Sequence, residues 1–217
     1  YVSEDALWFK TTDFGCDKDF VLVRANGVPT YVVPDIAYHY NKLEIRKFDR
    51  AIDVLGADHH GYVPRLKASL TALGVDASRL DAVLMQMVRL VRNGEVIKAS
   101  KRSGKAITLV TLLDEVPIDA ARFFFNLREP NSHFDFDLDL AVSESSNNPV
   151  YYVQYAYARI CSILKNVGSP ETENVKLNLL SSSEERELIT YIGTYSDEII
   201  QAAKAYDPAR ITHYVVE

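Results

Sequence analysis

Two adjacent histidines lie in a short segment that could contact a ligand. His59 and His60 follow Asp58 between Gly56 and Gly61, after an apolar run that predicts a strand and before a stretch that predicts a helix. Doubly wound sheets bind ligands at the carboxyl ends of their strands, and a helix N-terminus favours anions such as phosphate. This location favours contact with a nucleotide. There are two alternatives. One is a metal site, for which no third His or Cys ligand is evident, and the other is a pair of histidines that cap a surface turn.

A basic segment between residues 89 and 105 could bind phosphates. It holds six Lys or Arg residues and one acid, Glu95, in a chain whose net charge is −6. Lys98 and Lys101 flank Ser100, and two flexible ammonium groups at this spacing suit a loop that clamps a triphosphate. They would stabilise the charge that develops on a leaving pyrophosphate. An ordinary basic surface loop is the alternative.

A carboxylate and an aromatic side chain four residues apart could hold a cation. Tyr31 and Asp35 lie where a predicted strand ends and a predicted helix begins, and positions i and i+4 share one face of a helix. The aspartate would form charge-assisted hydrogen bonds with a cationic group, and the tyrosine a hydrogen bond or a cation–π contact. The alternative is that the charge of Asp35 only favours the helix N-terminus.

A helix rich in tyrosine could bind unpaired RNA bases. Its apolar residues step by three and four and predict one buried face: Val153, Ala156, Ile160, Ile163 and Val167. Tyr151, Tyr155 and Arg159 then share another face, and aromatic and Arg side chains are typical of proteins that stack on single-stranded RNA. We also expect at least one of these tyrosines to pack between helices or domains.

The elements that would position these residues differ between the two ends of the chain. Toward the start, strands are predicted at 20–23, 30–33, 51–55 and 81–91, and helices at 34–46 and 61–73. This alternation predicts a parallel, doubly wound sheet, and Asn93-Gly94 is a hairpin signal. From residue 119 the pattern is helical, with helices predicted at 149–166, at 184–206 and from Pro208.

The predicted fold class is therefore α/β followed by all-α. We expect half of a doubly wound, Rossmann-like catalytic sheet with connecting helices in residues 1–147, and a truncated helical bundle in residues 148–217. The chain begins at Tyr1 and ends inside a predicted helix, so we expect a fragment of a longer protein.

Composition excludes several classes of protein. With 217 residues, 47% of them hydrophobic and 25% charged, the chain has the composition of a globular protein and not of a disordered one. The negative charge argues against non-specific coating of nucleic acid. Cys16 and Cys161 show no motif spacing, which argues against a disulfide scaffold or a Cys-based zinc site and favours a reducing compartment. No apolar run reaches the length of a membrane span.

One apparent metal motif is rejected. Asp135, Asp137 and Asp139 alternate as in a calcium loop, but that loop needs Gly at position six and Glu at position twelve, where this chain has Leu140 and Ser146. We predict a solvated edge or helix caps there, and no structural metal.

Taken together, these residues resemble the bacterial arginyl-tRNA synthetases, which are class I aminoacyl-tRNA synthetases. The resemblance covers nearly the whole chain and rests on residues 6–15, 30–38, 56–63, 86–88, 119–123, 135–140 and 148–156. The segment Lys98-Ala99-Ser100-Lys101-Arg102 matches the class signature Lys-Met-Ser-Lys-Ser, with Ala for Met and Arg for the final Ser. The other class signature, His-x-Gly-His, does not occur in the chain.

The resemblance implies a role for each matching residue. Arginine would be bound by Tyr31, Asp35 and His59. ATP would be bound by Asp58, His59, His60, Gln86, Met87, Val88, Lys98 and Lys101, with Gln86 to Val88 beside the adenine. Catalysis would involve Lys98, Ser100 and Lys101, and Lys101 in particular would stabilise the transition state. The tRNA-facing side would include Asn148, Tyr151, Tyr155 and Arg159.

The resemblance also implies a reaction. Arginine and ATP, which is accompanied by Mg²⁺, would give arginyl-adenylate and pyrophosphate, and the arginyl group would pass to tRNA(Arg). In this family activation normally requires the tRNA. We expect a cytoplasmic, monomeric parent protein, and a fragment that is inactive alone because it lacks His-x-Gly-His.

Three other functions stay open at this point. A class I synthetase for glutamate, cysteine or lysine fits less well with Tyr31, Asp35 and the tyrosine-rich helix. An RNA-binding module without catalysis would use only the helical region. A nucleotidyltransferase unrelated to tRNA would leave residues 148–217 without a role.

Overall fold

The computed structural model describes residues 1–97, 108–168, 173 and 175–217. The chain forms two compact units, residues 1–87 and 88–217. Lys98, Ser100 and Lys101, predicted to act on ATP, lie outside the described residues.

The first unit combines an antiparallel sheet with a parallel β–α–β arrangement. Its helices and strands are β1 (Val2–Ser3), β2 (Ala6–Phe9), β3 (Phe20–Val23), α1 (Val32–Tyr40), β4 (Ala51–Gly56), α2 (Tyr62–Ala72) and β5 (Leu80–Met85). Strands β1, β2 and β3 pair in that order and are antiparallel. Strands β4 and β5 are parallel and in register from Ala51 opposite Leu80 to Gly56 opposite Met85. The strand–helix–strand order predicted from residue 51 onward is thereby confirmed in this unit.

The core of the first unit lies where α2 covers the parallel strands. Leu66 and Leu70 of α2 are four residues apart, so they project from one helical face, and both are buried with Leu43 and Leu80. Gly74 ends the helical segment at a φ of +75°, a left-handed conformation that glycine adopts without steric cost.

The strand predicted at 30–33 is wrong, because α1 begins there. The β-branched residues of segment 30–33 suit a strand. Pro34, however, lies in the first turn of α1, where the missing N–H costs no hydrogen bond. Helix α1 continues as a single π-helical turn, Asn41–Ile45.

The second unit combines a small mixed sheet with a series of helices. Its helices and strands are β6 (Val88–Arg92), β7 (Glu95–Val96), α3 (Leu109–Glu115), α4 (Ile118–Phe125), β8 (Phe134–Asp137), α5 (Leu138–Val142), α6 (Pro149–Val167), α7 (Ser183–Gly193), α8 (Tyr195–Ala205) and α9 (Ala209–Val216). Strand β6 is antiparallel to β7 and parallel to β8. The predicted hairpin at Asn93-Gly94 is confirmed, and both residues have the positive φ of a type I′ turn.

Two predicted elements are each divided in the structure. The single strand predicted at 81–91 is two strands, because β5 pairs with β4 whereas β6 pairs with β7 and β8 in a separate sheet. The single helix predicted at 184–206 is divided into α7 and α8 at Gly193 and Thr194. The Thr194 hydroxyl donates to the carbonyl of Tyr191 at 2.7 Å and satisfies an acceptor at the end of α7.

The buried face predicted for α6 is also wrong. The residues Ile160, Ile163 and Val167 are exposed, and α6 joins the core of its unit through Val150 in its first turn. The described part of α6 packs against α4 and α9. An amphipathic pattern shows which face can be buried, but burial also needs an element that covers that face.

The three alternating aspartates have protein partners. Asp135 forms a bidentate ion pair with Arg89, whose Nε and Nη2 donate to Oδ1 and Oδ2 of Asp135 at 2.6 and 2.8 Å. Asp137 caps α5, as the pattern predicts, and Asp139 accepts a hydrogen bond from the backbone N–H of Asn93 at 2.6 Å.

Among the helices of the described residues, none has both the length and the hydropathy that a bilayer crossing requires.

Candidate active site

Helix α1 presents the predicted cation-binding pair at its N-terminus. Tyr31 directly precedes the helix and is 70% exposed, and Asp35 lies in the first turn. One helical turn separates them, so both side chains can reach the same space beside the end of the helix.

A third residue, Tyr62, joins this pair from α2. The Tyr62 hydroxyl donates to Oδ2 of Asp35 at 2.6 Å, a short bond typical of a charged acceptor. The Tyr62 ring also lies 5.9 Å from the Tyr31 ring and 6.1 Å from the His59 ring, centroid to centroid. Through Tyr62 the structure therefore brings Tyr31 and Asp35 together with His59, which is more distant in the sequence.

The hydrogen bond fixes the chemistry of this pocket. Burial, and then the hydrogen bond to Asp35, raise the pKa of the Tyr62 phenol above its ordinary value, so Tyr62 remains a protonated donor. Tyr62 engages Oδ2 of Asp35, and among the described residues Oδ1 has no donor, so it can accept from a ligand. A carboxylate that accepts a hydrogen bond from one ring of an aromatic cluster is suited to a planar cation such as a guanidinium.

Sequence reasoning gave no role to Tyr62. It lies in the segment 56–63 that carries the family resemblance. It is the first residue of α2 and follows the loop of residues 57–61 between β4 and α2, which we call the histidine loop. That position, at a helix N-terminus beside the carboxyl end of a parallel strand, is the signal that could have found it.

The histidine loop is located where the sequence predicts. Strand β4 ends at Gly56, and Asp58 and His59 follow in a short 3₁₀ turn before α2. Both side chains are exposed at the carboxyl end of the parallel strands, and His59 Nε2 lies 3.9 Å from Asp58 Oδ2. His60 is exposed as well. No group of three or more His, Cys, Asp or Glu among the described residues has the arrangement of a metal site.

The three residues predicted beside the adenine are divided between the units. Gln86 and Met87 directly follow β5, whose last residue pairs with Gly56 at the start of the histidine loop. Met87 is largely exposed, and Val88 begins β6 in the second unit. Their common contact with a nucleotide stays a prediction.

The tyrosine-rich helix α6 forms a row of stacked side chains. The rings of Tyr151 and Tyr155 are 6.3 Å apart and nearly parallel, and the Arg159 guanidinium lies 5.8 Å from the Tyr155 ring centre. Tyr155 and Arg159 are exposed, whereas Tyr151 is half-buried. This continuous row is the kind of surface on which nucleobases stack.

Asn148, predicted on the same tRNA-facing side, is a buried helix cap. Its Oδ1 accepts from the backbone N–H of Val150 at 3.0 Å, and its Nδ2 donates to the carbonyl of Ser143 at 2.8 Å. With 4% exposure, this side chain stabilises the start of α6.

Comparison with known proteins decides the family. The sequence model for the catalytic domain of class I tRNA synthetases of the arginine type matches residues 1–146. The chain belongs to the arginyl-tRNA synthetase family. A second model, for the DALR anticodon binding domain, matches residues 153–217 of the chain.

Individual relatives agree with this membership. An arginine–tRNA ligase of Caldanaerobacter subterraneus is 54% identical over the whole chain, which corresponds to 40% of that protein. The arginine–tRNA ligase of Acetivibrio thermocellus is 51% identical, again over the whole chain and 39% of its own length. The chain thus spans about 40% of the length of the curated relatives that it matches.

Solved structures share the fold. A Campylobacter jejuni protein assigned as an arginyl-tRNA synthetase superposes with a TM-score of 0.87 at 34% identity, over 100% of this chain and 47% of that one. Thermus thermophilus arginyl-tRNA synthetase superposes with a TM-score of 0.81 at 21% identity, over 98% of this chain and 44% of that one. The predicted fold class, α/β followed by helices, is confirmed.

Proposed function

We propose that this chain is the part of an arginine–tRNA ligase that binds the side chain of arginine and begins the anticodon-binding domain. The complete enzyme activates L-arginine with ATP to form arginyl-adenylate and then transfers the arginyl group to tRNA(Arg). The observation that supports this most directly is the hydrogen bond from Tyr62 to Asp35, in a member of the arginyl-tRNA synthetase family. The Tyr62 ring also lies beside the rings of Tyr31 and His59.

The pocket favours arginine over lysine. A guanidinium presents planar N–H groups that can donate to Oδ1 of Asp35 while its flat face lies on an aromatic ring. An ammonium is a compact point charge with a strongly bound hydration shell, and it does not match this arrangement.

Activation joins the carboxylate of arginine to the α-phosphorus of ATP and expels pyrophosphate. Asp58, His59 and His60 would line the nucleotide side of the arginine pocket, at a helix N-terminus that favours phosphate. Gln86, Met87 and Val88 would lie by the adenine. Mg²⁺ bound to ATP, with Lys98 and Lys101, would neutralise the charge on the leaving pyrophosphate, and Ser100 would belong to the same loop.

Transfer requires tRNA, for which we propose the row on α6 as a contact surface. Tyr151, Tyr155 and Arg159 would lie against unpaired bases, and Asn148 would act indirectly by fixing the start of the helix. We place the enzyme in the cytoplasm as a monomer, and we do not expect the chain alone to activate arginine, because it lacks His-x-Gly-His.

Amino-acid-dependent ATP–pyrophosphate exchange by the full-length protein, with total tRNA present, tests this proposal. We expect exchange with arginine and none with lysine or glutamate. Asp35→Asn should abolish most of the exchange, whereas Asp17→Asn, at an exposed aspartate of the same unit, should not change it. Binding of tRNA without exchange for any amino acid would instead indicate a non-catalytic RNA-binding protein.

A further inference from the structure

A buried histidine lies one helical turn beyond Asp35. His39 of α1 is 5% exposed, and its Nδ1 donates to the backbone carbonyl of Asp35 at 2.8 Å. Its Nε2 lies 2.6 Å from Oδ2 of Asp53 on β4. Because a carbonyl oxygen only accepts hydrogen bonds, Nδ1 carries the proton that it donates to Asp35, while Nε2 faces both Asp53 and Nζ of Lys42, which lies 3.4 Å away.

A lysine completes the cluster. Lys42 Nζ lies 3.2 Å from Oδ1 of Asp53 and 4.5 Å from the centre of the Tyr38 ring. The side chains of His39, Asp53 and Lys42 are 6%, 15% and 18% exposed, so Asp53 is a largely buried carboxylate that contacts a lysine and a histidine. Lys42 lies in the π-helical turn that follows α1, a local distortion that is frequent at functional sites.

The bridge through His39 connects two sides of the arginine pocket. Asp53 is three residues before Gly56, where β4 enters the histidine loop, and Asp35 carries the carboxylate that faces the ligand. The hydrogen bond from Tyr62 holds the side chain of Asp35, whereas His39 holds its backbone. The two contacts act on different atoms of the same residue.

We infer that His39 is a positioning residue for arginine, which fixes the backbone of Asp35 against β4 through Asp53. This inference rests on the proposed function, because it takes Asp35 as the acceptor of the guanidinium. His39 does not touch the ligand and acts through Asp35. A displacement of about 1 Å in a binding group can cost up to about 100-fold in rate. Loosening this bridge should therefore weaken the binding of arginine and not that of ATP.

Two substitutions of His39 test the inference in the full-length enzyme. His39→Asn and His39→Gln each retain a donor at only one of the two ring-nitrogen positions, so neither can bridge Asp35 and Asp53. We expect each to raise the KM for arginine about tenfold, with the KM for ATP unchanged within about twofold. His133→Asn is the matched control, since it makes the same change at an exposed histidine of the second unit, and it should leave the KM for arginine unchanged.

A second pair of variants keeps the test decisive if the His39 variants do not fold. Asp53→Asn retains an oxygen that can accept from Nε2 of His39, and Asp53→Ala does not. We therefore expect the KM for arginine to rise more in Asp53→Ala than in Asp53→Asn.

The outcomes separate this inference from the proposed function. A wild-type enzyme without arginine-dependent exchange would overturn the proposed function. An active wild type whose variants leave the KM for arginine unchanged, or raise the KM for ATP equally, would overturn only the positioning role of His39. A lower kcat with both KM values unchanged would also overturn it, because that result indicates loss of folded enzyme.

Discussion

The hydroxyl of Tyr62 provides a sharp test of the arginine pocket. Tyr62→Phe removes the donor that lies 2.6 Å from Asp35 Oδ2 and keeps the ring that contacts Tyr31 and His59. The carboxylate of Asp35 then loses the contact that fixes its orientation. The guanidinium of arginine must then order the Asp35 carboxylate when it binds. The free-energy cost of this ordering lowers the affinity for arginine.

The size of the effect follows from the hydrogen bond. A hydrogen bond to a charged group contributes about 1.5–3 kcal/mol, and because Tyr62 and Asp35 are only half-buried, we take about 1–2 kcal/mol. Since about 1.4 kcal/mol corresponds to a factor of ten, the KM for arginine should rise about 5- to 30-fold. The KM for ATP should not change, because the bond lies on the side of the site that we propose for the amino acid.

Steady-state exchange kinetics of the full-length enzyme, with arginine and ATP varied separately, measure this change. Tyr38→Phe is the matched control, because it removes the same hydroxyl from an exposed tyrosine of α1 and keeps the ring beside Lys42. A KM for arginine within twofold of wild type in Tyr62→Phe, or an equal rise in Tyr38→Phe, would refute the reasoning.

Two further predictions concern the stability of the described units. Phe136 is fully buried and contacts the rings of Phe124 and Phe125, so Phe136→Ala should lower the free energy of unfolding by about 3–5 kcal/mol in chemical denaturation; a loss below about 1 kcal/mol would contradict that packing. The backbone N–H of Thr12 donates to Asp19 and is the main reason that the pKa of this carboxyl lies below its ordinary value of 3.8. Because the pKa of Asp19 is lower in the folded state, its stabilising contribution is present above pH 3.8 and is lost as the pH falls through the folded pKa. An NMR titration of the Asp19 carboxyl carbon measures this pKa, and a midpoint at or above 3.8 would disprove the prediction.

Local pattern was sufficient where neighbouring residues decide the structure. The parallel β4–α2–β5 arrangement, the Asn93-Gly94 hairpin and the start of α6 at Pro149 all agree with the sequence-based predictions. In each case the determining interactions are alternation, turn stereochemistry or capping, and these act over a few residues.

Local pattern failed where a distant partner decides. The apolar run 81–91 is continuous in sequence, but its two parts join different sheets, and only the available partner strands determine that division. The apolar face of α6 has the period of a buried helix, yet burial depends on which elements cover it. Both errors arise because periodicity describes one element at a time.

The candidate site shows the same limit. The sequence by itself determined the residue types that suit a cationic group, the pairing of Tyr31 with Asp35 at one helix N-terminus and the position of His59 beside the end of a strand. Only the tertiary structure decided that Tyr62 donates to Asp35 across 27 positions of the chain, and that His39 meets Asp53 across 14. These contacts form because the fold packs α1 beside α2 and β4, and the free energy of that packing is distributed over residues far apart in the sequence.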